Sequence, residues 1–138
     1  MDILNKARSF REEERRLKWE GTFAEYLDIV KQRPEVAQTA HSRVYNMIKS
    51  AGVTEKDRKK IYHFFGEEIF GLEDAIERLV EEYFHPAAKR LDVRKRILLL
   101  MGPVSGDKST IVTMLKRGLE RYSRTDEGAV YAIKGCPM

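Results

Sequence analysis

A single cysteine, Cys136, rules out an internal disulfide, and a reducing cytoplasm is the simplest home for such a chain. Long apolar runs are missing as well. The longest strongly apolar stretch, Ile97 to Met101, covers five residues, against the roughly 20 that a membrane-spanning helix needs. The opening M-D-I-L-N-K-A-R-S-F has no basic segment followed by an apolar one, so no secretory leader is expected. The three histidines, His41, His63 and His85, share no ligand spacing with Cys136, which argues against a metal centre. Ser42 beside His41 is not a triad, because triad members meet through the fold rather than by adjacency. Charge of one sign never accumulates over a long tract. The net charge is +4, but basic residues alternate with acidic ones, as in R-E-E-E-R-R, and tight basic clusters such as Lys89-Arg90 and Arg94 to Arg96 stay short. A nucleic-acid surface would show a one-sided basic stripe with stacking aromatics, so nucleic acid is not the expected partner.

What is present is helical at first. Residues 3–18 carry Ile3, Leu4, Ala7, Phe10 and Leu17 as a narrow seam among charges. Gly21 breaks the pattern, and Thr22-Phe23-Ala24-Glu25 has the spacing of a capping box. Pro34 suits the first turn of a third helix, with Val36, Ala40, Val44, Met47, Ile48 and Ala51 on its apolar face and Gly52 as its stop. Residues 53–66 read as a charged connector with a short strand near Ile61 to Phe65. The clearest helix follows, with a stripe of Leu72, Ile76, Leu79, Val80, Tyr83 and Phe84, and His85-Pro86 is expected to bend or restart it.

The segment I-L-L-L-M, residues 97–101, is apolar on both faces and reads as a buried parallel strand. It runs into G-P-V-S-G-D-K-S-T, then into a helix with Ile111, Met114, Leu115 and Leu119 on one side, then into a strand at Ala129 to Lys134. The expected architecture is therefore mixed α and α/β. A helical N-terminal region, residues 1–66, precedes the first βαβ unit of a P-loop nucleotide-binding sheet, residues 67–138.

Strand, glycine loop and helix in that order form the setting of the phosphate loop G-x-x-x-x-G-K-[ST]. Its glycines let backbone N–H groups approach phosphate oxygens, and the helix N-terminus contributes its positive end. Here the loop comprises Gly102, Pro103, Val104, Ser105, Gly106, Asp107, Lys108, Ser109 and Thr110. Backbone N–H groups of Val104 to Lys108 would cradle ATP, Lys108 would reach its outer phosphates, and the Ser109 hydroxyl would hold Mg. The second glycine of the pattern falls at position 107, which is aspartate. Two like charges about 4 Å apart repel by about 1 kcal/mol in water and about 4 kcal/mol near a protein surface. A correctly shaped but weakened nucleotide site is the expectation.

The stretches W-E-G-T-F-A-E-Y-L, A-H-S-R-V-Y-N-M-I, E-E-I-F-G-L-E-D-A-I-E-R-L-V-E-E-Y-F-H-P-A-A-K-R-L-D-V-R-K-R-I-L-L-L-M-G-P-V-S-G and K-S-T-I-V-T-M-L-K-R-G-L-E resemble the N-terminal AAA region of PrkA-type serine protein kinases. The resemblance covers nearly the whole chain. Family members carry G-P-V-S-G-G-K-S-T, so Asp107 departs from their pattern. The resemblance implies an AAA-type P-loop ATPase domain that binds ATP with Mg and couples it to phosphoryl transfer onto serines of a protein substrate. It also implies a longer, cytoplasmic protein able to form homo-oligomers. Phe70 and Gly71, within Ile69-Phe70-Gly71-Leu72, resemble the short AAA motif that touches adenine; a helix entry with Ile69 and Phe70 buried is the rival reading. Two other functions stay open: an AAA ATPase that remodels or degrades proteins, and an inert docking module created by Asp107.

Overall fold

Local capping decides where the first helices begin. The computed structural model describes residues 2–66, 68–89, 97–103 and 107–137, in two compact units, Met1–Pro34 and Glu35–Met138. In the first unit, α1 spans Asp2–Leu17 and α2 spans Phe23–Gln32. The capping box is formed: the Glu25 N–H donates to Thr22 Oγ1 at 3.3 Å, and the Thr22 N–H donates to Glu25 Oε2 at 2.6 Å. The Thr22 N–H, and the Thr22 hydroxyl donating to the same oxygen at 2.8 Å, hold the Glu25 carboxyl below the ordinary carboxylate range. Gly21 is required for space, since a Cβ there would lie 2.5 Å from the Trp19 ring.

In the second unit the helix expected from Pro34 is divided. A 3₁₀ turn, Pro34–Ala37, is followed by α3, Ala40–Ser50. Thr39 causes the break: its hydroxyl accepts the Ser42 N–H at 3.3 Å and caps a fresh helix. Gly52, at φ +104°, ends α3 as expected. The stretch read as a connector is a hairpin, β1 (Val53–Lys56) paired antiparallel with β2 (Lys59–Tyr62), followed by a 3₁₀ turn at His63–Phe65. Asp57 and Arg58 turn it with φ of 52° and 63°, the left-handed pair of a two-residue hairpin loop.

The next helix runs without interruption through α4 (Glu73–Arg78), a π-helical stretch (Leu79–Phe84) and α5 (His85–Ala88). His85-Pro86 does not interrupt it: Arg78, Leu79, Phe84 and His85 all keep right-handed helical angles. Pro86 has no N–H to donate and its ring crowds the preceding turn. The wider turn relieves this, with the His85 N–H reaching back five residues to the Val80 carbonyl. Leu79, Val80 and Phe84 are buried. They meet Tyr45, Met47 and Ile48 of α3, Tyr62, Phe65, Ile69, and Ile111 and Tyr122 of α6 (Lys108–Tyr122). One core thus joins residues from both sides of position 66.

The expected βαβ unit is present only as its helix. Neither 97–101 nor 129–134 is a strand; both lack regular secondary structure, and the hairpin is the one sheet among the described residues. Residues 97–101 nevertheless keep a strand's alternation. Ile97, Leu99 and Met101 are 88%, 75% and 81% exposed, whereas Leu98 and Leu100 pack on the core. Extended backbone becomes a strand only when a neighbour completes its hydrogen-bond ladder, and no described segment pairs with either stretch. No helix among the described residues is long and apolar enough to cross a membrane.

Candidate functional site

The glycine loop and the start of α6 place one cation among backbone groups. Lys108, the first residue of α6, turns its side chain back along the loop: Nζ donates to the Gly102 carbonyl at 2.7 Å and to the Pro103 carbonyl at 2.5 Å. The lysine lies directly over Gly102, where an added Cβ would stand 3.6 Å from Nζ. The first intrahelical bond runs from the Ile111 N–H to the Asp107 carbonyl at 2.9 Å. The N–H groups of Lys108, Ser109 and Thr110 therefore have no acceptor within the helix, and they point out of its positive end. Ser109 is exposed there and Thr110 is half-buried. Val104, Ser105 and Gly106, the expected middle of the cradle, lie outside the described residues, as does the basic cluster Arg94 to Arg96.

The donor set suits an anion of phosphate type. A phosphate oxygen offers Lys108 a charged acceptor in place of two neutral carbonyls, and charge-assisted bonds are the stronger ones. Asp107 is the element that fits least. It occupies the N-cap position with φ −78° and ψ 21° and makes no capping bond through its side chain. That backbone conformation is right-handed and needs no special residue. Aspartate therefore costs no backbone strain at this position, and what counts against it is its side chain, above all its charge.

Phe70 and Gly71 sit on a different turn, just before α4. Ile69 is buried at 5% exposure, but Phe70 is 77% exposed, so the reading that buries both side chains fails for the phenylalanine. Gly71 takes φ +75° and its N–H donates to Glu73 Oε1 at 3.3 Å. No hydrogen bond joins these two residues to the loop among the described residues.

The histidines are held by neighbours. His63 Nε2 meets Thr54 Oγ1 at 2.5 Å, His41 packs on Tyr83, and His85 packs on Tyr45. Cys136 is exposed.

Other polar features were not anticipated. Glu77 and Glu81 dock the hairpin rather than facing solvent alone: Glu77 accepts the Lys60 N–H at 3.2 Å, and Glu81 pairs with Lys60 at 3.0 Å and accepts from Tyr62. The Arg43 guanidinium donates to the carbonyls of Gly128, Ala129 and Val36, fixing the chain that leaves α6. A groove of about 730 Å³ also opens beside the second half of α6, away from the loop. The spacing of Arg117 and Arg121 was the sequence signal for its rim.

A lysine that opens a helix and turns back over a glycine is the arrangement a phosphate loop would use. The chain belongs to the PrkA AAA domain family, which matches residues 21–138. It is 74% identical, over all 138 residues, to a Bacillus subtilis protein named ATP-dependent protease PrkA, and it covers 22% of that protein's length. A Geobacillus stearothermophilus protein, described only as lying in the gldA 5' region, is 71% identical over 97 residues, which are 70% of this chain and 100% of that one. The Escherichia coli protein named serine/threonine kinase YeaG is 50% identical over 50 residues, 36% of this chain and 8% of its own length. No solved structure matches.

Proposed function

We propose that this chain is part of the ATP-binding region of a PrkA-type, ATP-dependent enzyme acting on proteins. The observation that carries the reading is Lys108, held over Gly102 at the start of α6 by the carbonyls of Gly102 and Pro103. In this reading Lys108 contacts the outer phosphates and Ser109 holds Mg. Pro103, Asp107 and Thr110 line the rest of the cradle. The exposed ring of Phe70, beside Gly71, is available to stack on adenine. Bound Mg-ATP would supply the phosphoryl chemistry; the residues here bind and orient it.

What the nucleotide drives is proposed from the relatives. The protein alike over the whole chain is named a protease, while the one named a kinase matches 50 residues. ATP-dependent remodelling or degradation of a protein substrate is therefore the reading we favour, with phosphoryl transfer onto protein serines as the second. A cytoplasmic location and assembly into homo-oligomers go with either.

Calorimetric titration of Mg-ATP tests the site. Binding by the native chain or by Asp107→Gly, abolished by adding Lys108→Ala, is the expected result. If neither the native chain nor Asp107→Gly binds, or if Lys108→Ala changes nothing, the reading fails.

A further inference from the structure

The groove beside α6 has a chemistry of its own. Its floor is apolar and adaptable, made by Met47, Phe64 and Met114, and methionine-lined surfaces reshape readily around a guest. Gly118 gives the floor its depth. A Cβ there would stand 2.5 Å from the Phe64 ring and 3.1 Å from Met47 Sδ, so helix and ring meet only because the side chain is absent. Volumes of about 300 to 1,000 Å³ are typical of sites that enclose a ligand, and this one lies within that range.

The rim is cationic. Arg117 and Arg121 are exposed one helical turn apart, so both stand on the same edge. The nearby ion pair joins Glu120 of α6 to Arg124, just past its end, at 3.3 Å and uses neither of them. Arg121 Nε donates to the Arg117 carbonyl at 3.4 Å, and its other guanidinium nitrogens make no hydrogen bond among the described residues. Neither arginine forms an ion pair among the described residues. Against these two charges the lining holds one carboxylate, Glu68. His63, also on the lining, is engaged with Thr54.

We propose that this groove binds an acidic peptide segment of a partner protein, with carboxylates on Arg117 and Arg121 and an apolar side chain on the methionine floor. The spacing suits such a guest. Side chains two apart on an extended peptide are separated by about 6.6 Å, close to the roughly 5–6 Å between neighbouring positions on one helix face. The residue between the two acids then points away from α6, toward the lining that α3 and the 3₁₀ turn supply, Met47 and Phe64, so an acidic–apolar–acidic alternation offers its charges to the rim and its apolar group to that side. Guanidinium forks donate two parallel N–H bonds to a carboxylate, which favours carboxylate guests over mere negative charge. The inference does not depend on nucleotide binding.

Fluorescence anisotropy with the full chain at low salt tests it, using labelled peptides centred on Glu-Leu-Glu, Glu-Ser-Glu and Lys-Leu-Lys. Glu-Leu-Glu is expected to bind, and the Arg117→Glu/Arg121→Glu double variant to bind at least about tenfold more weakly. Both positions are exposed, and circular dichroism confirms that the variant folds. Lys108→Ala is expected to leave peptide binding unchanged. Equal binding of Lys-Leu-Lys, equal binding of Glu-Ser-Glu, an unaffected double variant, or no binding at all would each overturn the proposal.

Discussion

The Tyr62 hydroxyl donates to the Glu81 carboxylate, joining the end of the hairpin to the π-helical stretch. Burial is the largest single influence on Glu81 and pushes its pKa up, but the bonds from Tyr62 and Lys60 outweigh it and hold the carboxyl below its ordinary value. Burial first, then the same bond, raises the Tyr62 phenol well above its ordinary value. The carboxylate therefore stabilises the fold above the unfolded glutamate pKa of about 4.3, and that contribution is lost as pH falls through the lower, folded value. The phenol contributes below about pH 10, and its share is lost as pH rises beyond that. Tyr62→Phe should cost about 1–2 kcal/mol at neutral pH and flatten both flanks of the stability profile. Urea unfolding from pH 3 to 11 measures this, and a variant profile parallel to the native one would contradict it.

The hairpin turn carries a residue that prefers another conformation. Arg58 takes φ 63°, where a side chain costs about 1–2 kcal/mol and glycine costs almost nothing. Arg58→Gly also loosens the unfolded chain, which takes back about 0.4–1 kcal/mol. A net gain of roughly 0.5 kcal/mol is expected, read as a higher midpoint in thermal unfolding.

Gly128 is fixed for a different reason. A Cβ at this position would stand 2.0 Å from the Tyr122 carbonyl, and backbone cannot swing aside as a side chain does. Thr125 braces the same turn, donating to Tyr122 and accepting from the Gly128 N–H. Gly128→Ala should destabilise by about 1–3 kcal/mol and release the carbonyl that Arg43 holds. Faster amide exchange at residues 128 to 130 than elsewhere on the surface would report that release.

Removing the charge at position 107 should strengthen nucleotide binding. The backbone there is right-handed and needs no special residue, so Asp107→Gly changes mainly the electrostatics. Mg-ATP affinity is expected to rise by about one to three powers of ten. Asp107→Asn should recover most of that gain, which separates charge from the presence of a side chain.

Helices and caps were readable because their signals are local. Thr22 and Glu25 form the cap their spacing announces, and the stripe Ile76, Leu79, Val80 and Phe84 is buried as its periodicity requires. The hairpin was missed because Asp57-Arg58 lacks the glycine that marks such turns, and because Lys59 and Lys60 take their partners, Asp74 and Glu81, from a helix many residues away. The strands at 97–101 and 129–134 were read from composition, but a strand depends on a neighbour that composition does not name. At the candidate site, Lys108 and Gly102 could be paired from the motif alone. The groove could not, since it requires Gly118 to let Phe64 and Met47 close on α6.

The widened turn at Leu79–Phe84 is, in coding terms, one residue more than a regular helix holds. Each residue of an α-helix advances the chain by about 100°. Deleting a single codon there would let the helix close to its ordinary pitch and swing everything after it by that angle. The Ala88 carbonyl, which accepts the Ser42 hydroxyl at 2.9 Å, would be carried off α3 with it. Sequence drift can exchange side chains along this helix, but its length between Ile76 and Ala88 is held to a count.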